Sequence, residues 1–181
     1  MKKWQKIIFN VCRIILGIVF IFSSFVKGID PLGFAYKIHD YFVAAHLPQL
    51  NFSSLFLSYT LNGIEFLIGI ALILGLFFNY TALATLAFMI FYTILTFILA
   101  LFNPVSDCGC FGDAIKLTNW ETFFKNVILL ALIVYVFLNR KKFNIKLSPK
   151  YQYITIGIYI IVFYSISFYS YRHLPFFDFM P

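Results

Sequence analysis

Charge is what this sequence has least of. Only 12% of its 181 residues are Asp, Glu, Lys or Arg, where an ordinary soluble domain carries about 25%. Acids are the scarcer sign, at seven against fourteen bases. Cysteine is scarce too: three residues are too few for a disulfide-stapled secreted module. There is no internal repeat, no low-complexity tract and no stretch polar enough for a soluble domain. What fills the chain instead is apolar: 62% hydrophobic residues and 22% aromatics, with 25 Phe and 12 Tyr. A globule of this size has too little interior to bury that excess. A soluble enzyme and a disordered chain are excluded, which leaves an integral membrane protein built from helices.

The net charge of +7 is not a nucleic-acid footprint. The bases sit at the ends of apolar runs, as membrane proteins place them, and form no basic face interleaved with polar residues. Five runs are long enough to span a bilayer: residues 7–26, 55–78, 80–102, 123–138 and 151–171. The fourth looks short, but Thr118 and Glu121 have capping-box spacing and place the start of its helix earlier. The first run exceeds a signal-peptide core and has no small-residue cleavage site after it, so it reads as an uncleaved span.

Lys2, Lys3 and Lys6 precede the first span, and Arg140, Lys141, Lys142, Lys146 and Lys150 fill segment 139–150 without an acid. Five spans put these two segments on one side, which the excess of bases marks as the cytoplasm. The expected topology is a multi-pass protein of the inner (cytoplasmic) membrane, N-terminus in and C-terminus out. Segment 27–54 then lies outside, and Phe34, Ile38, Tyr41, Phe42 and Ala45 recur there at helical spacing. They predict a short amphipathic helix on the membrane surface or capping the bundle. The turn 77–80 joins the second and third spans as an antiparallel hairpin. The apolar tail 174–181 either packs back on the bundle or leads into an outer domain.

Cys108 and Cys110 fall in the outer segment 103–119, a compartment where disulfides persist. Bridging them requires a backbone turn, which Gly109 permits. Such a small ring is strained, and strained, exposed disulfides tend to be exchangeable. Asp107 and Asp113 bracket the pair and oppose thiolate formation; Lys116 can offset them. A structural disulfide is the plain alternative, although closing so short a loop removes little chain entropy. A soft-metal site with His39 or His46 is a third, incomplete with two sulfurs; His173 is an ordinary interfacial residue. Cys12 lies in the first span near the cytoplasm.

Two charges sit inside spans. Counting from the predicted ends, Arg13 lies roughly 9 Å from one face and Glu65 roughly 15 Å from the other. The axial gap in a core about 30 Å thick is only about 6 Å, short enough for Arg13 to reach Glu65. Arg13 can equally snorkel to the cytoplasmic interface. Glu65 is too short for that, so it is paired, protonated or lining a polar cavity, as a quinone-linked proton path requires. Lys27 and Asp30 read by position as interfacial charges.

Arg13-Ile-Ile-Leu-Gly17, Ser24-x-x-Lys27-x-x-Asp30-Pro31-x-Gly33 and Glu65-x-x-x-Gly69 resemble the DoxX family of small membrane proteins. Asp107-Cys-Gly-Cys-Phe-Gly112, with Trp120 and Lys125-Asn126 opening the next span, resembles its MauE branch. The resemblance implies an all-α, four-helix membrane bundle over residues 1–138 with an outer Cys-x-Cys loop at 103–119. A basic loop (139–150) and a fifth transmembrane helix with its tail (151–181) extend it. It also implies Cys108 and Cys110 as a redox pair serving disulfide formation in, or export of, a methylamine dehydrogenase subunit. DoxX relatives are associated with quinone-linked sulfur oxidation and oxidative-stress defence. Arg13, Glu65 and Lys27 are the candidates for a quinone site; no metal is expected. The expected activity is thiol–disulfide exchange with an extracytoplasmic thiol protein, electrons passing to a quinone. The alternatives are a non-enzymatic assembly factor with a structural cysteine pair and a small-molecule or metal transporter. The partners are the lipid bilayer and that thiol protein, not nucleic acid.

Overall fold

The computed structural model describes residues 3–44, 46–103, 105, 108–113, 115, 117–143 and 148–173. Among the described residues there are six α-helices: α1 Lys3–Ile29, α2 Pro31–Ala44, α3 Ser54–Leu74, α4 Phe78–Phe102, α5 Asn119–Asn139 and α6 Pro149–Arg172. A four-residue strand, β1 Cys110–Asp113, lies between α4 and α5, and 3-10 turns occupy Pro48–Ser53 and Arg140–Lys142. All the helices except α2 belong to segments long and apolar enough to cross a bilayer. The molecule is an all-α multi-pass membrane protein.

The helices outrun the sequence-predicted spans at their polar ends, because interfacial lysines do not interrupt helical hydrogen bonding. Lys6 and Lys27 both sit inside α1. Helix α5 starts at Asn119 behind a complete capping box: the Glu121 N–H donates to Thr118 Oγ1, and the Glu121 carboxylate accepts from the Thr118 N–H. Helix α3 stops at Gly75, in the left-handed conformation at φ 74° that glycine favours. Phe77, also left-handed, turns the chain directly into α4.

Helices α1, α3, α4 and α5 form a ring in that order, the tightest pairs being α1 with α3 and α4 with α5. Helix α6 lies outside against α3 and α1, with Phe163 stacked on Phe66 at 4.7 Å. The lipid-facing surface is apolar, with Phe91, Ile94, Phe124, Ile128 and Ile161 all exposed. The expected amphipathic helix is α2, and it caps one end of the bundle. Asp30 accepts from the Gly33 N–H at 2.9 Å and Pro31 opens the helix, while Phe34 and Ile38 are buried. Ala45, Asp107, Lys116 and the tail from residue 174 lie outside the described residues.

The two ends of the bundle differ. The end holding the start of α1, the α3–α4 turn and Arg140–Lys142 is basic outside and apolar within, around Phe9, Leu16, Leu72, Phe78 and Ile133. At the other end, which holds the cysteines, the buried residues turn polar: Ser23, Lys27, Ser58, Asn62, Glu65 and Asn126.

Candidate functional site

The cysteine loop is anchored on both flanks. At its base, the buried Asn119 donates to Asn103 Oδ1 at 2.7 Å and to the Val105 carbonyl at 2.9 Å, tying the end of α4 to the start of α5. At its tip, Tyr41 of α2 donates to the Cys108 carbonyl and Ser23 of α1 to the Cys110 carbonyl, each at 2.5 Å. Ser23 lies six residues before the end of α1, so the tip dips roughly 9 Å below the helix terminus. Non-helical backbone is tolerated at such depth only where protein satisfies it, and these hydroxyls do so.

Gly109 and Gly112 take left-handed conformations, at φ 64° and 54°. The turn at Gly109 brings Cys108 Sγ and Cys110 Sγ to 2.7 Å. Cys108 is buried and Cys110 half-buried. The Cys110 thiol is pulled down to about 7, chiefly by the hydrogen bond from the Cys108 thiol. Lys125 and Lys27 add attraction, while burial and Glu65 oppose it. Cys108 is pushed well up, because its proton is committed to that hydrogen bond, burial disfavours its thiolate and Cys110 repels a second charge. Above pH of about 7 the reduced pair therefore holds one thiolate, on the more accessible cysteine. Iodoacetamide should accordingly alkylate the reduced protein at Cys110 alone, the rate climbing through pH of about 7. Peptide mass spectrometry reads this directly; faster labelling of Cys108 would refute the assignment.

Lys27 is no interfacial charge. It is 2% exposed and forms an ion pair with Glu65, its ammonium 4.8 Å from the centre of the Phe34 ring. Arg13 does not reach Glu65. Its guanidinium donates to the Leu72 and Ile73 carbonyls at 2.8 and 3.1 Å and lies over Phe143 at 4.7 Å. The register of α1 on α3 is the reason. The two helices touch backbone to backbone at Gly17 and Gly69. In an antiparallel pair crossing there, Arg13 faces residues near 73, and Glu65 faces the stretch leading to Lys27. Fourteen residues of helix, about 21 Å, separate Arg13 from Lys27. Arg13 is thus remote from the cysteines, and Lys27 and Glu65 are beside them.

A signal for Lys27 was available. Leu16, Phe20, Ser23, Ser24 and Lys27 share one buried face of α1. A lysine at the end of a helix face turned from lipid is a candidate for burial. Tyr41 and Lys125 carried no comparable signal, since long-range packing brings them to the loop. Lys125 lies over the Phe111 ring at 4.1 Å.

A cavity of about 30 Å³ opens between Cys110 and the ion pair, lined by Lys27, Glu65, Tyr92, Cys110, Phe111 and Lys125 among others. It has room for roughly two waters. His39 is half-buried and Asp40 exposed, the two 3.7 Å apart. Among the described residues no group of three or more His, Cys, Asp or Glu forms a metal-binding cluster.

The family model of the methylamine utilisation protein MauE matches residues 5–139, which takes in α1 to α5 and the cysteine loop. Protein TlpB of Flavobacterium psychrophilum is 30% identical over 162 residues, covering 85% of this chain and 42% of that protein. The chain therefore spans less than half the length of this relative. No solved structure matches the chain.

Proposed function

The chain belongs to the MauE family, and from that premise we propose that it exchanges disulfides with thiol proteins through Cys108 and Cys110. The observation that carries this reading is the contact of the two sulfurs across Gly109, at 2.7 Å, with only Cys110 partly accessible. A partner thiolate attacks Cys110 Sγ of the Cys108–Cys110 disulfide. The sulfur–sulfur bond breaks, a partner–Cys110 mixed disulfide forms, and Cys108 leaves and takes a proton. The second thiolate of the partner then displaces Cys110. The partner has lost two electrons and two protons, and the cysteine pair has gained the electrons. The reverse sequence reduces a partner disulfide, and the relative potentials of the two pairs set the direction.

The site faces the extracytoplasmic side of the inner membrane in this reading. Lys6, Arg140, Lys141, Lys142 and Lys150 gather at the opposite end, the excess that marks a cytoplasmic face. The family's setting in methylamine utilisation extends to this chain as maturation of an exported protein whose cysteines must be paired.

Substituted cysteines test the exchange. Cys108→Ser leaves Cys110 without its resolving partner and should accumulate mixed disulfides with exported proteins, seen as reducible high-mass bands. Cys110→Ser should trap few or none. Trapping by neither variant, with undiminished maturation of exported disulfide proteins in cells carrying either, would leave the pair structural and the protein an assembly factor.

A further inference from the structure

The Lys27–Glu65 pair has no evident structural need. A buried ion pair usually adds little stability over apolar residues of the same volume, and ionisable groups inside a span are costly. This one opens onto the cavity that also reaches Cys110. The backbone of Gly112, two residues on, lies against the side chains of Val26 and Lys27. The ion pair and the cysteine centre are packed as one unit.

Reduction changes the charge of that unit. The disulfide is neutral, and Lys27 is matched by Glu65. Once Cys110 becomes a thiolate, two anions face one buried ammonium. The other titratable groups around them are Tyr92 on α4, Lys125 on α5, and Cys108 with Tyr41 of α2 at the loop. Lys125 sits over Phe111; Tyr92 and Tyr41 are neutral hydroxyls. Coupling between acidic groups is mutual, so whatever Glu65 does to a thiolate at Cys110, that thiolate does to the Glu65 carboxylate.

We propose that Glu65 takes up a proton when the cysteine pair is reduced, Lys27 passing as counter-ion from the Glu65 carboxylate to the Cys110 thiolate. This rests on the exchange reading above. Of the two protons a partner dithiol releases, one ends on Cys108 and the other on Glu65. The two electrons reside in the cleaved pair, and Cys110 carries the negative charge that Glu65 gave up. Reduction of a partner disulfide by the same pair, the reverse sequence, returns both protons. Lys27 and Glu65 are positioning residues, acting through Cys110.

Infrared difference spectroscopy of the full chain in lipid nanodiscs, reduced with dithiothreitol, tests this without a physiological partner. Reduction should produce the carbonyl stretch of one protonated carboxylic acid per chain, absent from the Glu65→Gln and Cys110→Ser proteins. If Glu65→Gln fails to fold, wild-type protein carrying carboxyl-labelled glutamate makes the assignment. The chain has only Glu65 and Glu121, and Glu121 is exposed, its carboxylate engaged by the Thr118 N–H and hydroxyl. The band should then shift with the label. Appearance of an alkylatable Cys110 thiol with no such band, or with a band the label does not move, would overturn the proton role and leave disulfide exchange standing. A pair that never forms a reducible disulfide would overturn both.

Discussion

Lys27→Met should destabilise the protein by about 3 kcal/mol, the low end of the cost of breaking a buried ion pair by removing one partner. The pair is nearly sealed, with side chains 1% and 8% exposed, so bulk water cannot fully solvate the abandoned carboxylate. Methionine keeps the length and flexibility of the lysine stem and its packing against Phe34, and so isolates the charge. The double variant Lys27→Met/Glu65→Leu should recover most of the loss, because it removes both charges and refills the space. Thermal unfolding in a mild detergent measures all three, and salt should change the wild-type value little, since buried pairs are poorly screened. A single variant as stable as wild type, or a double variant as unstable as the single, would show that the pair is not the buried unit described.

Gly69→Leu should be more damaging, disrupting the α1–α3 pair and the site with it. A Cβ on Gly69 would lie 2.9 Å from the Ile21 backbone nitrogen and 3.0 Å from the Gly17 carbonyl oxygen. Backbone atoms cannot step aside as a side-chain end can. Relief requires α1 and α3 to separate along a contact that small residues exist to keep close. Overpacking of this kind costs about 1–3 kcal/mol, and more where backbone must move. Separation also carries Lys27 away from Glu65 and breaks the buried ion pair. The control is Gly157→Leu on α6, where an added Cβ meets nothing within 4 Å. Comparable unfolding temperatures for the two variants would contradict the close contact.

Much of the fold was legible because membrane insertion imposes a simple code. Apolar runs of about 20 residues must be helices, since lipid offers backbone groups no other partner. That accounts for the five spans, and the period of Phe34, Ile38 and Tyr41 accounts for α2. Thr118 and Glu121 marked the start of α5 through local capping chemistry alone. The left-handed turn at Gly109 was legible for the same reason: two cysteines one residue apart meet only if the residue between them turns.

The reach of Arg13 was not legible. Depth counted from predicted span ends put it within range of Glu65, but helix register is decided by where two surfaces can approach. Gly17 and Gly69 set that crossing, and it delivers Lys27 to Glu65 and leaves Arg13 on the Leu72 and Ile73 carbonyls. Nor could local pattern bring Tyr41 and Ser23 to the carbonyls of Cys108 and Cys110, contacts that span 67 and 87 residues of chain.

The scarcity of charge, by itself, determined that this is a helical membrane protein, because transfer into lipid selects on composition and run length, which a sequence displays directly. Which of its few charges would lie together was decided only by tertiary structure. An ion pair depends on the relative rotation and sliding of two helices, and those are set by where small residues, here Gly17 and Gly69, let the helices meet.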